Sequence, residues 1–336
     1  MNEELETYKK NKTTELQKIY VENMNLLYSN FINNIKLAYS LRVRNKQSII
    51  NSLISNYNKN VIQMKNKLSY DINYIKNYNP IFNVSANNKK ALLIGINYTN
   101  TLYELTGCVD DTTRMKEILT KFGFNSFTIL TDSRDVKPTK EAILRELKNM
   151  IDKSSAGDLL VFYFSGHGSY TYDKNGDESD NKDEMIISSD LQGVIDDEIK
   201  QILTTMKSGV TLFGLFDSCH SGTMFDLKFN YTDNNNYSET TDNDKASECN
   251  GNVIMISGCM DNQTSSEANI NGKIEGAITW SFIESIKLSE TENKYNELSW
   301  RLLVKSMRDV LKKEGFDQLP QLSTDTFYDI DSKVFL

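Results

Sequence analysis

Only three prolines, two histidines, two tryptophans and four cysteines occur among the 336 residues. Each scarcity excludes something. Cys108, Cys219, Cys249 and Cys259 are irregularly spaced, so they form neither the paired framework of a small disulfide-rich domain nor a CxxC zinc signature. Reduced thiols in a cytoplasmic location are therefore expected. No apolar run approaches the roughly 20 residues of a bilayer-spanning helix, and the opening MNEELETYKKNK lacks the apolar stretch of a secretory signal. No membrane association is expected. Core-forming residues are not scarce, at 39%, which sets aside wholesale disorder.

Positive charge is also in short supply, except at one end. Residues 1–80 carry twelve Lys/Arg against six Asp/Glu, a net +6, while the remainder carries −14. So acidic a body does not grip phosphate backbones, and nucleic acid is not an expected partner. The basic end admits several readings: a solvated helix face, or a surface that docks on an anionic partner or on the chain's own acidic body.

Apolar residues between about 13 and 75 recur at helical spacing, as in Leu27, Phe31, Ile35, Ala38 and then Ile50, Ile54, Tyr57, Val61, Met64, Leu68. Two long amphipathic helices with a break near Asn45 to Gln47 follow, closed by Asn79-Pro80 because the residue before proline is pushed out of the α region. Beyond Pro80 the pattern changes to short apolar runs: ALLIGI (91–96), FTIL (127–130), DLLVFYF (158–164), VTLFGLF (210–216) and VIMIS (253–257). Continuous runs of that length suit strands covered on both faces. They alternate with helix patterns at 110–121, 139–151 and 196–206, and further helices are expected at 276–288 and 297–313. The division is thus a helical segment over 1–80 and an α/β unit with a mainly parallel sheet over 81–336. Polar residues 228–251 read as a mobile excursion.

Two of the apolar runs end in unusual loops. DLLVFYF leads into Ser165-Gly166-His167-Gly168, and VTLFGLF into Asp217-Ser218-Cys219-His220-Ser221-Gly222. Active residues of open α/β sheets gather where strands end in such loops. Neighbouring strands lie about 4.8 Å apart, a gap that a cysteine and a histidine nearly span. Successive residues leaving a strand point to opposite sides, so His220 is aimed away from the sulfur of Cys219 and His167 is the better partner. An imidazole beside a thiol takes its proton and later protonates a leaving amine. Cys219 is the expected nucleophile and His167 the acid/base, with the amides of Gly168 and Cys219 as candidate oxyanion donors. A structural or loop-orienting role is expected for His220.

A third feature is acidic. Residues 171–198 hold ten carboxylates against two lysines. Such a density is either fully solvated or shared with a hard cation such as Ca²⁺. Asp173, Asn175, Asp177 and Glu184 mimic an EF-hand loop, but Glu178 stands where that loop needs glycine and no helical pattern precedes it.

FYFSGHGS and LFDSCHSG resemble the histidine and cysteine motifs of metacaspases, the caspase-like peptidases of the clan that also holds caspases and legumains. The likeness continues through GCVDD (107–111), ISGCMDNQTSSEA (256–268), GAITWSFI (276–283) and PQLS (320–323), in one unbroken order over about 89–330. The short excursion at 228–251 is similar to type I members. The resemblance implies a caspase-like α/β/α sandwich with a six-stranded, mainly parallel sheet, and an endopeptidase that forms an acyl-enzyme and cleaves protein substrates after Arg or Lys. It implies substrate-binding roles for Asp111, Ser165, Asp217 and Cys108, although Asp111 also reads as a helix N-terminal carboxylate and Cys108 as a packing thiol. It implies a Ca²⁺ site at Asp183, Asp196, Asp197 and Asp226, and self-cleavage at a basic residue, for which Lys228 and Lys245 are the exposed candidates. The helical N-terminus departs from the family's Pro/Gln-rich prodomains. A monomer is expected, with the helices available for self-association; the alternative is an inactive caspase-like scaffold acting through those helices.

Overall fold

The computed structural model describes residues 2–40, 43, 45–77, 88–172, 182–218, 224–225, 227–231, 249–258, 267–270, 273–291, 298–325 and 330–335. The chain divides into two compact units, Met1–Pro80 and Ile81–Leu336.

In the first unit, α1 (Asn2–Ser40) and α2 (Lys46–Asn77) fold back on each other. The seam follows the apolar spacing: Phe31 stacks on Tyr57 at 4.4 Å between ring centroids, and Ala38 and Ile50 are fully buried. Lys46 Nζ donates to the carbonyl of Tyr39 at 2.9 Å, clasping the turn. The break falls just ahead of Lys46, and α1 begins earlier than its apolar periodicity, because polar residues of good helix propensity extend it.

The second unit is a layered α/β fold. Its strands are β1 (Lys89–Gly95), β2 (Ser126–Thr131), β3 (Leu159–Ser165), β4 (Gly168–Tyr172), β5 (Lys182–Ile187), β6 (Gly193–Ile195), β7 (Thr211–Asp217), β8 (Phe229–Tyr231), β9 (Asn252–Ser257), β10 (Glu267–Ile270), β11 (Lys273–Gly276) and β12 (Gln321–Thr324). Its helices are α3 (Cys108–Lys121), α4 (Lys140–Asp152), α5 (Asp196–Leu203), α6 (Ala277–Thr291) and α7 (Trp300–Lys313). The main sheet runs β2-β1-β3-β7-β9-β12-β8. The first five strands are parallel; β12 is antiparallel to both β9 and β8.

This sheet has seven strands where six were expected. The extra strand, β8, comes from the beginning of the stretch read as an excursion, whose residues 232–248 lie outside the described ones. Composition hid it, since Phe229 and Tyr231 stand in a polar neighbourhood, yet both pack on the core. Pairing with β8 covers the flank of β12 that would otherwise expose a row of backbone groups.

Alternation along β1 shows how the layers form. Ala91 and Leu93 face α3, α6 and α7, while Leu92 and Ile94 face α4 and α5. Both faces of the sheet are thus dry, which is why its strands read as unbroken apolar runs. Each fully buried Leu, Ile or Phe in these layers contributes about 1.5–3 kcal/mol. Thr139 caps α4 by accepting from Ala142 N at 3.2 Å, and Ser299 caps α7 by accepting from Leu302 N at 3.3 Å. Among the described residues no helix is long and apolar enough to cross a membrane.

Where β1 meets α3 the backbones touch. A Cβ on Gly95 would fall against the carbonyl of Cys108 and the methyl of Thr112. Gly95→Ala should therefore destabilise the chain by about 1–3 kcal/mol, an overpacking cost. Urea unfolding checks this; a midpoint equal to wild type would contradict it.

Candidate active site

The site is built on the carboxyl ends of β3 and β7. Their parallel register sets Ser165 opposite Asp217, and Gly166 N donates to the carbonyl of Asp217 at 3.3 Å. The two loops therefore leave the sheet side by side. His167 follows two residues beyond Ser165. Cys219 and His220 follow two and three residues beyond Asp217 and lie outside the described residues, as do Gly222, Asp226, Lys245 and the 173–178 part of the EF-hand-like pattern.

His167 is half-buried. Its Nε2 lies 2.8 Å from the carbonyl oxygen of Tyr103. A carbonyl only accepts, so Nε2 carries the proton and Nδ1 of the neutral ring is the acceptor, available to a thiol. The ring is flanked by Tyr98 at 4.8 Å and, edge-on, by Tyr103 at 6.3 Å between centroids. Gly168 opens β4 opposite Ile186. Since Ile187 N donates to His167 O at 2.9 Å, the next pair, Gly168 and Ile186, is the wide kind, and the Gly168 N–H points away from β5. An oxyanion donor needs that direction.

Beneath this edge the structure brings three of the four expected substrate-binding residues together. Asp111, Ser165 and Asp217 are buried. Ser165 Oγ donates to Asp111 Oδ2 at 3.2 Å, and Gly276 N donates to the same oxygen at 3.1 Å. Asp217 Oδ2 accepts from the amide and hydroxyl of Thr279 at 2.8 and 2.7 Å; Tyr163 OH lies 2.7 Å from that hydroxyl. Although Asp111 sits in the first turn of α3, its carboxylate reaches across to β3 and β11 instead of merely facing the helix dipole. Cys108 begins α3, buried and outside any disulfide.

Three members of this cluster, Arg114, Glu275 and Thr279, have no counterpart in the sequence reading. Arg114 bonds Asp111 through Nη2, and its Nη1 bonds Glu275 at 2.6 Å. Asp111-x-x-Arg114 is a helical i, i+3 pair, a readable signal. Glu275 and Thr279 carry none, because only the folding of β11 and α6 brings them here. Burial, and then the neighbouring Asp217, push the Asp111 carboxyl above the aspartate range, against the opposing pull of Arg114. A Cβ on Gly276 would strike both Asp217 and Asp111, so that glycine is required by the closeness of the two carboxylates.

A second acidic cluster lies on the small antiparallel sheet β4-β5-β6. Oxygens of Asp183, Asp196 and Asp197 gather within 4.8 Å of one another. Asp183 and Asp196 are buried, and Asp196 accepts from Glu184 N and Asp197 N, both at 2.7 Å. Hard oxygen donors converging in this way fit a divalent cation such as Ca²⁺, whose remaining ligands would be carbonyls or water. Lys228 is half-buried at the foot of β8, not the exposed loop residue expected, because β8 draws it onto the sheet edge. Cys249 is no rival nucleophile: burial pushes its thiol up to about 12, despite Lys200 nearby.

Because Asp111 titrates above its unfolded value, the protonated carboxyl stabilises the fold. That contribution is complete below the ordinary aspartate range and is lost as pH rises through the raised folded value. Wild type should accordingly lose stability relative to Asp111→Asn between about pH 4 and pH 8. Paired urea titrations measure the difference; one that stays flat with pH contradicts the assignment.

The metacaspase peptidase C14 domain matches residues 89–228. Metacaspase-1 of Meyerozyma guilliermondii is 35% identical, over 70% of this chain and 69% of that one. Metacaspase-1 of Schizosaccharomyces pombe is 32% identical, over 76% and 71%. A Geobacter sulfurreducens protein of known crystal structure superposes with a TM-score of 0.55 at 23% identity, over 74% of this chain and 98% of that one, and shares the fold. The chain belongs to the metacaspases, a family of cysteine-type peptidases.

Proposed function

We propose that the protein is a calcium-dependent endopeptidase that cleaves peptide bonds after Arg or Lys, using Cys219 as nucleophile and His167 as acid/base. One observation carries the reading: His167 leaves β3 in register with the end of β7, its Nε2 held by the carbonyl of Tyr103. Nδ1 is then the basic nitrogen for the thiol two residues beyond Asp217. Thiolate attack on the scissile carbonyl forms the C–S bond, and the oxyanion is stabilised by the amides of Gly168 and Cys219. The imidazolium returns its proton to the leaving amine, and water, deprotonated by the same nitrogen, hydrolyses the acyl-enzyme.

Preference for a basic side chain is supported by the cluster of Asp111, Ser165 and Asp217, since a guanidinium leaving water needs a carboxylate partner. The cluster already holds one guanidinium, that of Arg114. Calcium would be held by Asp183, Asp196 and Asp197, with Asp226 as the fourth aspartate; bound there, it supplies charge that orders the loops around β5. Self-cleavage is assigned to Lys245 ahead of Lys228, whose half-buried position at the foot of β8 resists entry into an active site. The chain is taken to act as a cytoplasmic monomer. The hairpin offers exposed Leu26, Leu37 and Ile62 as a surface for self-association.

Hydrolysis of Arg-, Lys- and Asp-terminated fluorogenic peptides tests this directly. Wild type with Ca²⁺ should cleave the first two and spare the third, and chelation should abolish cleavage. Cys219→Ala and His167→Ala should each lose about a thousandfold or more in kcat. Activity that survives in Cys219→Ala, or no activity under any condition, would overturn the proposal, the second outcome favouring a scaffold.

A further inference from the structure

Three observations single out Tyr98, which flanks the His167 ring. Its backbone is left-handed, with φ 51°, a costly conformation for an aromatic residue that persists only when its surroundings enforce it. A turn enforces it here: Thr101 N and Thr101 Oγ1 donate to the Tyr98 carbonyl at 3.1 and 2.7 Å. Its side chain is fully buried, directed from the end of β1 toward the histidine loop. The hydroxyl also stands between two strands. His167 N donates to it at 2.9 Å, and it donates to the carbonyl of Ile187 at 2.6 Å.

That placement changes the strand ladder. His167 and Ile187 face each other as the pair next to Gly168 and Ile186, and a normal narrow pair exchanges two direct N–H···O bonds. Here one of the two, Ile187 N to His167 O, is direct. The other passes through the phenol. The hydroxyl is therefore wedged into the ladder and holds His167 away from Ile187 on one side only. Gly166 leaves room for it: a Cβ there would meet the hydroxyl at 2.8 Å. Burial raises the phenol above its ordinary range, so it stays a donor to Ile187 at every working pH.

We propose that Tyr98 is the positioning residue of the catalytic histidine: its hydroxyl, inserted between His167 and Ile187, sets the backbone angle from which the imidazole reaches the thiol. This rests on the Cys219–His167 reading above. Removing the hydroxyl lets His167 N close directly on Ile187 O, so the backbone groups are satisfied again and the imidazole swings with them. The consequence is lost catalysis with little lost stability. A purely structural tyrosine would show the reverse.

The test uses full-length wild type, Tyr98→Phe and His167→Ala, with two readouts: kcat and KM on an Arg-terminated fluorogenic peptide, and the pH profile of Cys219 alkylation by iodoacetamide, followed by peptide mass. Tyr98→Phe should lose about tenfold or more in kcat at a KM within about twofold, because a displacement of about 1 Å at a reacting group is that costly. Its alkylation profile should move from that of wild type toward that of His167→Ala. Unchanged kcat and profile in the folded variant would overturn the proposal, as would a kcat loss matched by the loss of alkylatable sites. A wild-type profile identical to that of His167→Ala would instead overturn the dyad, and the positioning role with it.

Discussion

Parallel pairing of β3 with β7 is the constraint on which the rest depends. Seven consecutive residue pairs, from Leu159 with Thr211 to Ser165 with Asp217, lock the two strands in register. A slip of one residue would turn every inward side chain outward. Phe162 and Phe216 would leave the α4–α5 layer, where they pack at 5.5 Å, and Tyr163 would lose Thr279. Because that core cannot slip, Gly166 and His167 just past the end of β3 are held against the end of β7. The chemistry of the edge is thus fixed by packing some distance below it.

Charge at the same edge obeys a different logic. Two buried aspartates side by side repel, and burial alone disfavours their ionised forms. The chain offsets this with donors from four elements: Arg114 of α3, Ser165 of β3, Gly276 of β11 and Thr279 of α6. The acidic floor is thus a long-range assembly, since Asp111 and Asp217 accept from β11 and α6. The second acidic cluster is more local. Asp183 is the second residue of β5, and Asp196 and Asp197 begin α5, joined through the short β6. The far end of β5 is Ile187, which holds both backbone groups of His167, one directly and one through Tyr98. One strand therefore runs from the acidic cluster to the histidine.

Much of this was legible in the sequence, for a physical reason. The five parallel strands bury both faces and so write themselves as apolar runs, and the histidine and cysteine loops sit where those runs stop. Asp183, Asp196 and Asp197 are close together in the chain and close in space. What stayed hidden depends on long-range assembly. In the sheet β4-β5-β6 the half-exposed strand GSYTY has no apolar run to betray it. β8 and β12 are three and four residues long and gain strand character only by pairing. Glu275 meets Arg114 across 161 residues of chain, and Thr279 meets Asp217 across 62. Tyr98 carries no mark in the sequence, because neither its left-handed backbone nor its wedged hydroxyl has a signature there.

The account comes down to whether a thiol past β7 and an imidazole past β3 act on one peptide bond above the Asp111–Asp217 floor. A crystal structure of the chain after reaction with a peptidyl-arginine chloromethyl ketone addresses this most directly. The expected result is a thioether at Cys219 Sγ, His167 Nδ1 facing that sulfur, and the inhibitor's guanidinium against the carboxylates of Asp111 and Asp217. A thioether at another cysteine, or an arginine side chain turned to solvent away from both aspartates, would contradict it.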